Sequence, residues 1–199
     1  MNSTGEMKRI VIFASGAGSN ARQIIHHFQK SNLAKVEAVF CNNAKAGVIQ
    51  IANQSKIDLK LISRQQFFET EEVLTELKKI KPDLIVLAGF MWLVPQNILD
   101  AFTGCVINIH PSLLPNYGGA GMFGKRVHAT VIANHEVESG VTIHEVNENF
   151  DDGKILFQAK LKLNENETAD SLEKKINQLE LKHFSSVIET LLMSKMQSA

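Results

Sequence analysis

Short, unbroken apolar runs alternate with amphipathic stretches over the first 110 residues, and no other feature restricts the fold as much. Residues 9–14 (RIVIFA), 36–41 (VEAVFC) and 84–88 (LIVLA) have the length and composition of strands covered on both faces; residues 59–62 suggest a short further strand. Helical patterns fall between them. Ile24, Ile25 and Phe28 follow the first run, and a helix near 45–54 follows a turn at Asn42-Asn43. Phe67, Phe68, Val73, Leu74, Leu77 and Ile80 mark one helix across 65–80, which Pro82 closes. A short helix spans about 95–102. Strand and helix in turn predict an α/β chain with a mainly parallel, doubly wound (Rossmann-like) sheet.

Beyond residue 110 the pattern changes. A helix is expected near 125–135, and residues 141–146 and 155–163 read as strands that add antiparallel C-terminal edges. Thr168 or Asp170 is expected to cap a last long helix bearing Leu172, Ile176, Leu179, Phe184, Val187 and Leu191. Residues 1–7 read as a disordered leader and 8–199 as a single domain.

The 21 Lys and Arg balance 21 Asp and Glu, which argues against nucleic acid or an anionic membrane as a partner. Cys41 and Cys105 lie in apolar runs without ligand spacing, as reduced core residues of a cytoplasmic protein do. No run is long enough for a transmembrane span or a signal-peptide core.

The stretch 105–115 (CVINIHPSLLP) holds the chemistry. Asn108 and His110 interrupt a strand two positions apart, so both face the same side, at the carboxyl end where open α/β sheets place ligands. A carboxamide donor beside a proton-carrying imidazole suits acyl-group transfer; a histidine capping a loop is the plainer alternative. Asp151, on the polar connection 147–154, is placed to orient or charge His110. Ser112 lacks the GxSxG context of a hydrolase nucleophile.

Other motifs are weaker. Gly16-x-Gly18-x-x-Ala21 has the form of a dinucleotide fingerprint, but the second strand closes on Cys41-Asn42-Asn43 without the acid that holds a ribose. What remains is either an anion site on backbone amides ahead of a helix, helped by Ser19 and Asn20, or a bare turn. Residues 119–126 approach a P-loop but put Arg126 where Ser or Thr must stand. Asp152 occupies the glycine position of a calcium loop starting at Asn147. His26, His27 and His183 lack metal-ligand partners, so no metal is expected; His128 and His144 adjoin the loops around the Asn108/His110 strand.

Taken together, FASGAGSN (13–20), AVFCNNAKAGVIQIA (38–52), PDLIVLAGFMWLVP (82–95), INIHPSLLPNYGG (107–119) and ESGVTIHEVNENFDDGKILFQAKL (138–161) resemble the folate-dependent formyltransferases, in the branch that acts on glycinamide ribonucleotide. The resemblance implies the formyltransferase fold and transfer of the formyl group of 10-formyltetrahydrofolate to the ribonucleotide amine in de novo purine synthesis. It implies two small-molecule substrates, no metal or nucleotide cofactor, no nucleic-acid or membrane partner, and a monomer or homodimer in the cytoplasm. Asn108, His110 and Asp151 match the catalytic trio. Gly16, Ala17, Gly18, Ser19 and Asn20 match the substrate-phosphate loop, and Glu180 aligns with an acid that holds the substrate amine. Met91, Trp92, Leu93 and Val94 correspond to the loop beside the pterin, with His144, Glu145, Val146, Asn108 and Asp151 completing the folate site.

The chain's length is expected to set it apart from methionyl-tRNA formyltransferases and formyltetrahydrofolate deformylases, which carry further domains. A formyltetrahydrofolate hydrolase on the same scaffold is the alternative activity. Trp92 stands where the family often has a basic residue, which leaves the folate-tail contacts open. The glycine-rich stretch 118–126, with Lys125, Arg126 and the following His128, is either a substrate loop or a variable surface loop.

Overall fold

The computed structural model describes residues 6–197, with side chains through Ser194; residues 1–5 of the expected leader lie outside the described residues. Two compact units emerge, one running to Phe90 and resuming at Ser185, the other spanning Met91–Phe184.

The first unit carries β1 (Lys8–Ala14), β2 (Ala34–Cys41), β3 (Asp58–Leu61) and β4 (Leu84–Leu87), all parallel, in the order β3-β2-β1-β4. Between them run α1 (Ser19–Phe28), α2 (Val48–Gln54), α3 (Arg64–Phe68) and α4 (Glu72–Ile80). The continuous apolar runs are explained by burial on both faces: Ile10, Val11, Ile12 and all of β4 are sequestered. Phe13 stacks on Phe40 at 4.8 Å and meets Phe90 edge-on at 5.2 Å. The chain leaves β1 towards β2 on one side and later returns to β4 on the other, so the loop after β1 lies at a topological switch point.

Apolar spacing predicts one helix over 65–80, and two are present. Ser63 and Gln66 form a reciprocal capping box that starts α3. Thr70 then ends it, its hydroxyl donating to the Gln66 carbonyl while accepting from the Glu72 amide that opens α4. The periodicity runs through this break without registering it.

The second unit holds α5 (Gln96–Ala101), β5 (Val106–His110), α6 (Lys125–Ala133), β6 (Glu138–Glu145) and β7 (Ile155–Lys162). Here β6 pairs antiparallel with both β5 and β7, as the sequence predicts. α7 (Ala169–Gln197) starts behind Thr168, whose hydroxyl accepts from the Ser171 amide at 3.2 Å; Thr168, not Asp170, is the cap. It buries Leu172, Ile176 and Phe184 in this unit, and Ile188 and Leu192 in the first. Among the described residues no helix is long and apolar enough to cross a membrane.

Candidate active site

Antiparallel register brings the polar side chains of β5 and β6 together. Asn108 lies opposite His144 and His110 opposite Thr142, so two residues from each strand share one face. His110 and His144 are almost fully buried, while Asn108 keeps partial access to solvent. Asp151 arrives from the β6–β7 connection with a left-handed backbone (φ 57°), a conformation that Asp tolerates better than most residues.

Each ring nitrogen of His110 faces an acceptor. Nε2 lies 2.8 Å from the Tyr117 carbonyl oxygen, and Nδ1 lies 3.3 Å from Asp151 Oδ2. A carbonyl only accepts, so Nε2 carries a hydrogen; a carboxylate facing Nδ1 calls for a second. The doubly protonated ring is the form that satisfies both. Asp151 is braced in turn: the Gly119 amide donates to Oδ2 at 3.0 Å. Burial alone would raise the Asp151 pKa, but His110 and the Gly119 amide outweigh it and hold the group well below the ordinary carboxylate range.

His144 donates from Nδ1 to the Glu145 carbonyl at 2.7 Å. With the ring neutral, its Nε2 accepts from Asn108 Nδ2 at 3.2 Å, which fixes the carboxamide and leaves its second N–H for a ligand. The cluster therefore combines an imidazole with an acceptor at each nitrogen, an oriented amide donor and a buried carboxylate. This set can stabilise an oxyanion and pass a proton without a nucleophilic side chain.

The proline-bounded loop after β5 is fixed by a polar network. Ser112 is fully buried and donates to the Asn116 carbonyl at 2.7 Å, so its hydroxyl is structural. Thr142 Oγ1 donates to the Ser112 carbonyl at 2.7 Å and accepts from the Leu114 amide (3.0 Å) and Gln158 Nε2 (2.9 Å). The Leu114–Pro115 peptide is cis. Gly118 completes the fit: a Cβ there would lie 2.5 Å from Leu114 Cδ2 and 3.1 Å from Asp151 Cβ. Tyr117, Thr142 and Gln158 carry no site signal of their own in the sequence, and Gly118 stands out only as part of the glycine-rich stretch 118–126. Tyr117 acts through its backbone, and the other three through packing or buried hydrogen bonds.

The other candidate residues are spread over both units. Gly16, Ala17 and Gly18 lie between β1 and α1, with Ser19 and Asn20 opening the helix. Gly18 is left-handed (φ 80°), and a Cβ there would stand 2.8 Å from Val48 and Ile51 of α2, so only glycine allows this turn. Gly16, Ala17 and Ser19 are exposed; Asn20 is buried. In the second unit, Met91 is exposed, Trp92 and Leu93 half-buried and Val94 buried. Glu180 is buried on α7. The amides of Glu145 and Val146 are committed to the Lys154 and Val106 carbonyls, at 2.9 Å each. Lys125 forms ion pairs with Asp170 and Glu173 of α7. His128 is buried on α6, with no hydrogen-bond partner for Nδ1 among the described residues.

Comparison with known proteins gives the family of the chain. The formyl transferase family model matches residues 8–188. Phosphoribosylglycinamide formyltransferase of Bacillus subtilis (strain 168) is 34% identical over 192 residues, covering 94% of this chain and 95% of that protein. The chloroplastic phosphoribosylglycinamide formyltransferase of Vigna unguiculata is 34% identical over 193 residues, and the chain spans 62% of that protein's length. The crystal structure of phosphoribosylglycinamide formyltransferase from Bacillus halodurans superposes with a TM-score of 0.83 at 32% identity, covering 93% of this chain and 95% of the other. The fold, and a family match running through both units, make this chain a member of the formyl transferase family.

Proposed function

We propose that this chain transfers the formyl group of 10-formyltetrahydrofolate to the primary amine of glycinamide ribonucleotide, in the cytoplasm, giving formylglycinamide ribonucleotide and tetrahydrofolate. The observation that carries the reading is His110 held between a carboxylate and a carbonyl, beside the oriented amide of Asn108. The neutral amine attacks the formyl carbon, forming the new C–N bond and a tetrahedral oxyanion. The imidazolium charge of His110 and the second Nδ2–H of Asn108 stabilise that oxyanion. Asp151 keeps His110 charged and assists passage of the amine proton, through water, to the departing folate nitrogen as the old C–N bond breaks.

Supporting roles obey the same logic. Residues 16–20, with exposed small residues ahead of a ten-residue helix that has no acid in its first turn, suit the ribonucleotide phosphate. Glu180 is assigned to the substrate amine. Met91, Trp92, Leu93 and Val94 are assigned to the pterin, with His144 and the 145–151 backbone on its polar edge.

The test is the folate absorbance change on mixing protein, 10-formyltetrahydrofolate and glycinamide ribonucleotide, with the ribonucleotide omitted in parallel. Turnover is expected only in the complete mixture. Equal turnover in both would make the protein a formyltetrahydrofolate hydrolase and remove the phosphate role of residues 16–20.

A further inference from the structure

Tyr117 supplies the carbonyl that binds His110 Nε2, and it does so from a left-handed backbone (φ 59°), which a bulky side chain rarely adopts. Beyond it the Gly119 amide is tied to Asp151, while Gly118, Gly119, Gly121 and Gly124 bring no side chain that could hold residue 117. The phenol, however, is gripped. Its hydroxyl donates to Glu136 Oε1 at 2.5 Å and accepts from Asn134 Nδ2 at 3.0 Å. Both partners lie in the tight turn that ends α6: the Asn134 amide donates to the Thr130 carbonyl, His135 is left-handed (φ 52°), and the Glu136 amide closes onto the Val131 carbonyl. The carboxylate beside the phenol raises the Tyr117 pKa, so the hydroxyl stays a donor.

We propose that Tyr117 is a positioning residue for His110, its phenol clamped by Glu136 and Asn134 so that its strained backbone holds the carbonyl on Nε2–H. The clamp goes beyond the trio and rests on the transferase reading for its catalytic consequence. Without it, residue 117 relaxes towards negative φ, its carbonyl turns away, and one of the two acceptors that keep the ring doubly protonated is lost.

Three variants test this: Tyr117→Phe, Glu136→Ala and Glu136→Gln. The readouts are kcat, KM for both substrates, thermal unfolding, and the His110 Nε2–H resonance in ¹⁵N-labelled protein. Tyr117→Phe and Glu136→Ala are expected to lower kcat about tenfold, with KM within about twofold and a broadened or lost Nε2–H signal. Glu136→Gln keeps an acceptor oxygen and is expected to restore both kcat and the resonance. An unchanged resonance in either of the first two variants would overturn the clamp, whatever happens to stability. Glu136→Ala keeps the question decidable if Tyr117→Phe does not fold. Absence of turnover in the unaltered protein would instead defeat the transferase reading, and the resonance would still decide the clamp.

Discussion

Asp151→Asn removes one charge from the centre of the site and changes almost nothing else in shape. At 3.3 Å, an ion pair in a medium of effective dielectric about 20 has a gross attraction of about 5 kcal/mol. Only the part that grows as the oxyanion forms affects the rate, and loss of comparable preorganised donors costs about 10²–10³ in kcat, or about 2.7–4 kcal/mol. The expected loss lies in that range, with KM for both substrates little changed. The fold should survive. Asn accepts the left-handed backbone at φ 57°, and its carbonyl oxygen can still accept from the Gly119 amide. The stability loss stays at about 1–2 kcal/mol, the cost of one weakened buried hydrogen bond. The assay is ribonucleotide-dependent folate absorbance alongside thermal unfolding. Turnover within about threefold of the parent, with normal folding, would refute the claim that Asp151 maintains the charge on His110.

Asn108→Ala removes the oriented donor and should lower kcat by about 10²–10³ without unfolding the protein; near-normal turnover would strip Asn108 of its role. Gly118→Ala places a methyl group 3.1 Å from Asp151 Cβ and should reduce kcat more than tenfold, while urea unfolding shows a loss of about 1–3 kcal/mol. Thr142→Val leaves the Leu114 amide and Ser112 carbonyl unsatisfied, for about 3 kcal/mol and a fall in Tm of about 6–12 °C in calorimetry. The pH dependence of stability has two steps of the same sign. Burial lowers the His128 pKa against the opposing effect of Glu173, and His110 adds to the lowering, so the unfolded chain takes up a proton first. Stability therefore falls as pH drops through about 6.5, and His128→Leu should flatten that step. The depressed Asp151 carboxyl contributes stability above about pH 4 that is lost on further acidification, a step absent in Asp151→Asn.

What the sequence disclosed depended on whether a side chain or a backbone performs the task. Asn108 and His110 were legible because strand periodicity puts i and i+2 on one face, and the structure has them on β5 opposite β6. Asp151 was legible only as a carboxylate on a connection able to reach; its contact with His110 depends on the β6–β7 turn and its left-handed φ. The four parallel strands announced themselves through continuous apolar runs, and the antiparallel pair through their spacing. The break between α3 and α4 was missed although its signal was present, since Ser63-x-x-Gln66 has capping-box spacing. Thr142 and Gln158 resemble ordinary strand polar residues, and only their partners show that they fix the loop after β5.

Tyr117 and Asp151 share a property that explains why the site needs support from outside the trio. They hold the two nitrogens of His110, and both do so from left-handed backbone, at φ 59° and 57°. Such conformations persist only where the surroundings over-determine them. Asp carries a short side chain that reduces the strain, and here its carboxylate is fixed by His110 and the Gly119 amide. Tyr lacks the relief of a short side chain, and the far end of the phenol supplies a restraint instead. That difference accounts for a phenol reaching out to Glu136 and Asn134. It also places the vulnerability of His110 in two kinds of residue: one that removes charge when replaced, and one that releases geometry while the charge remains.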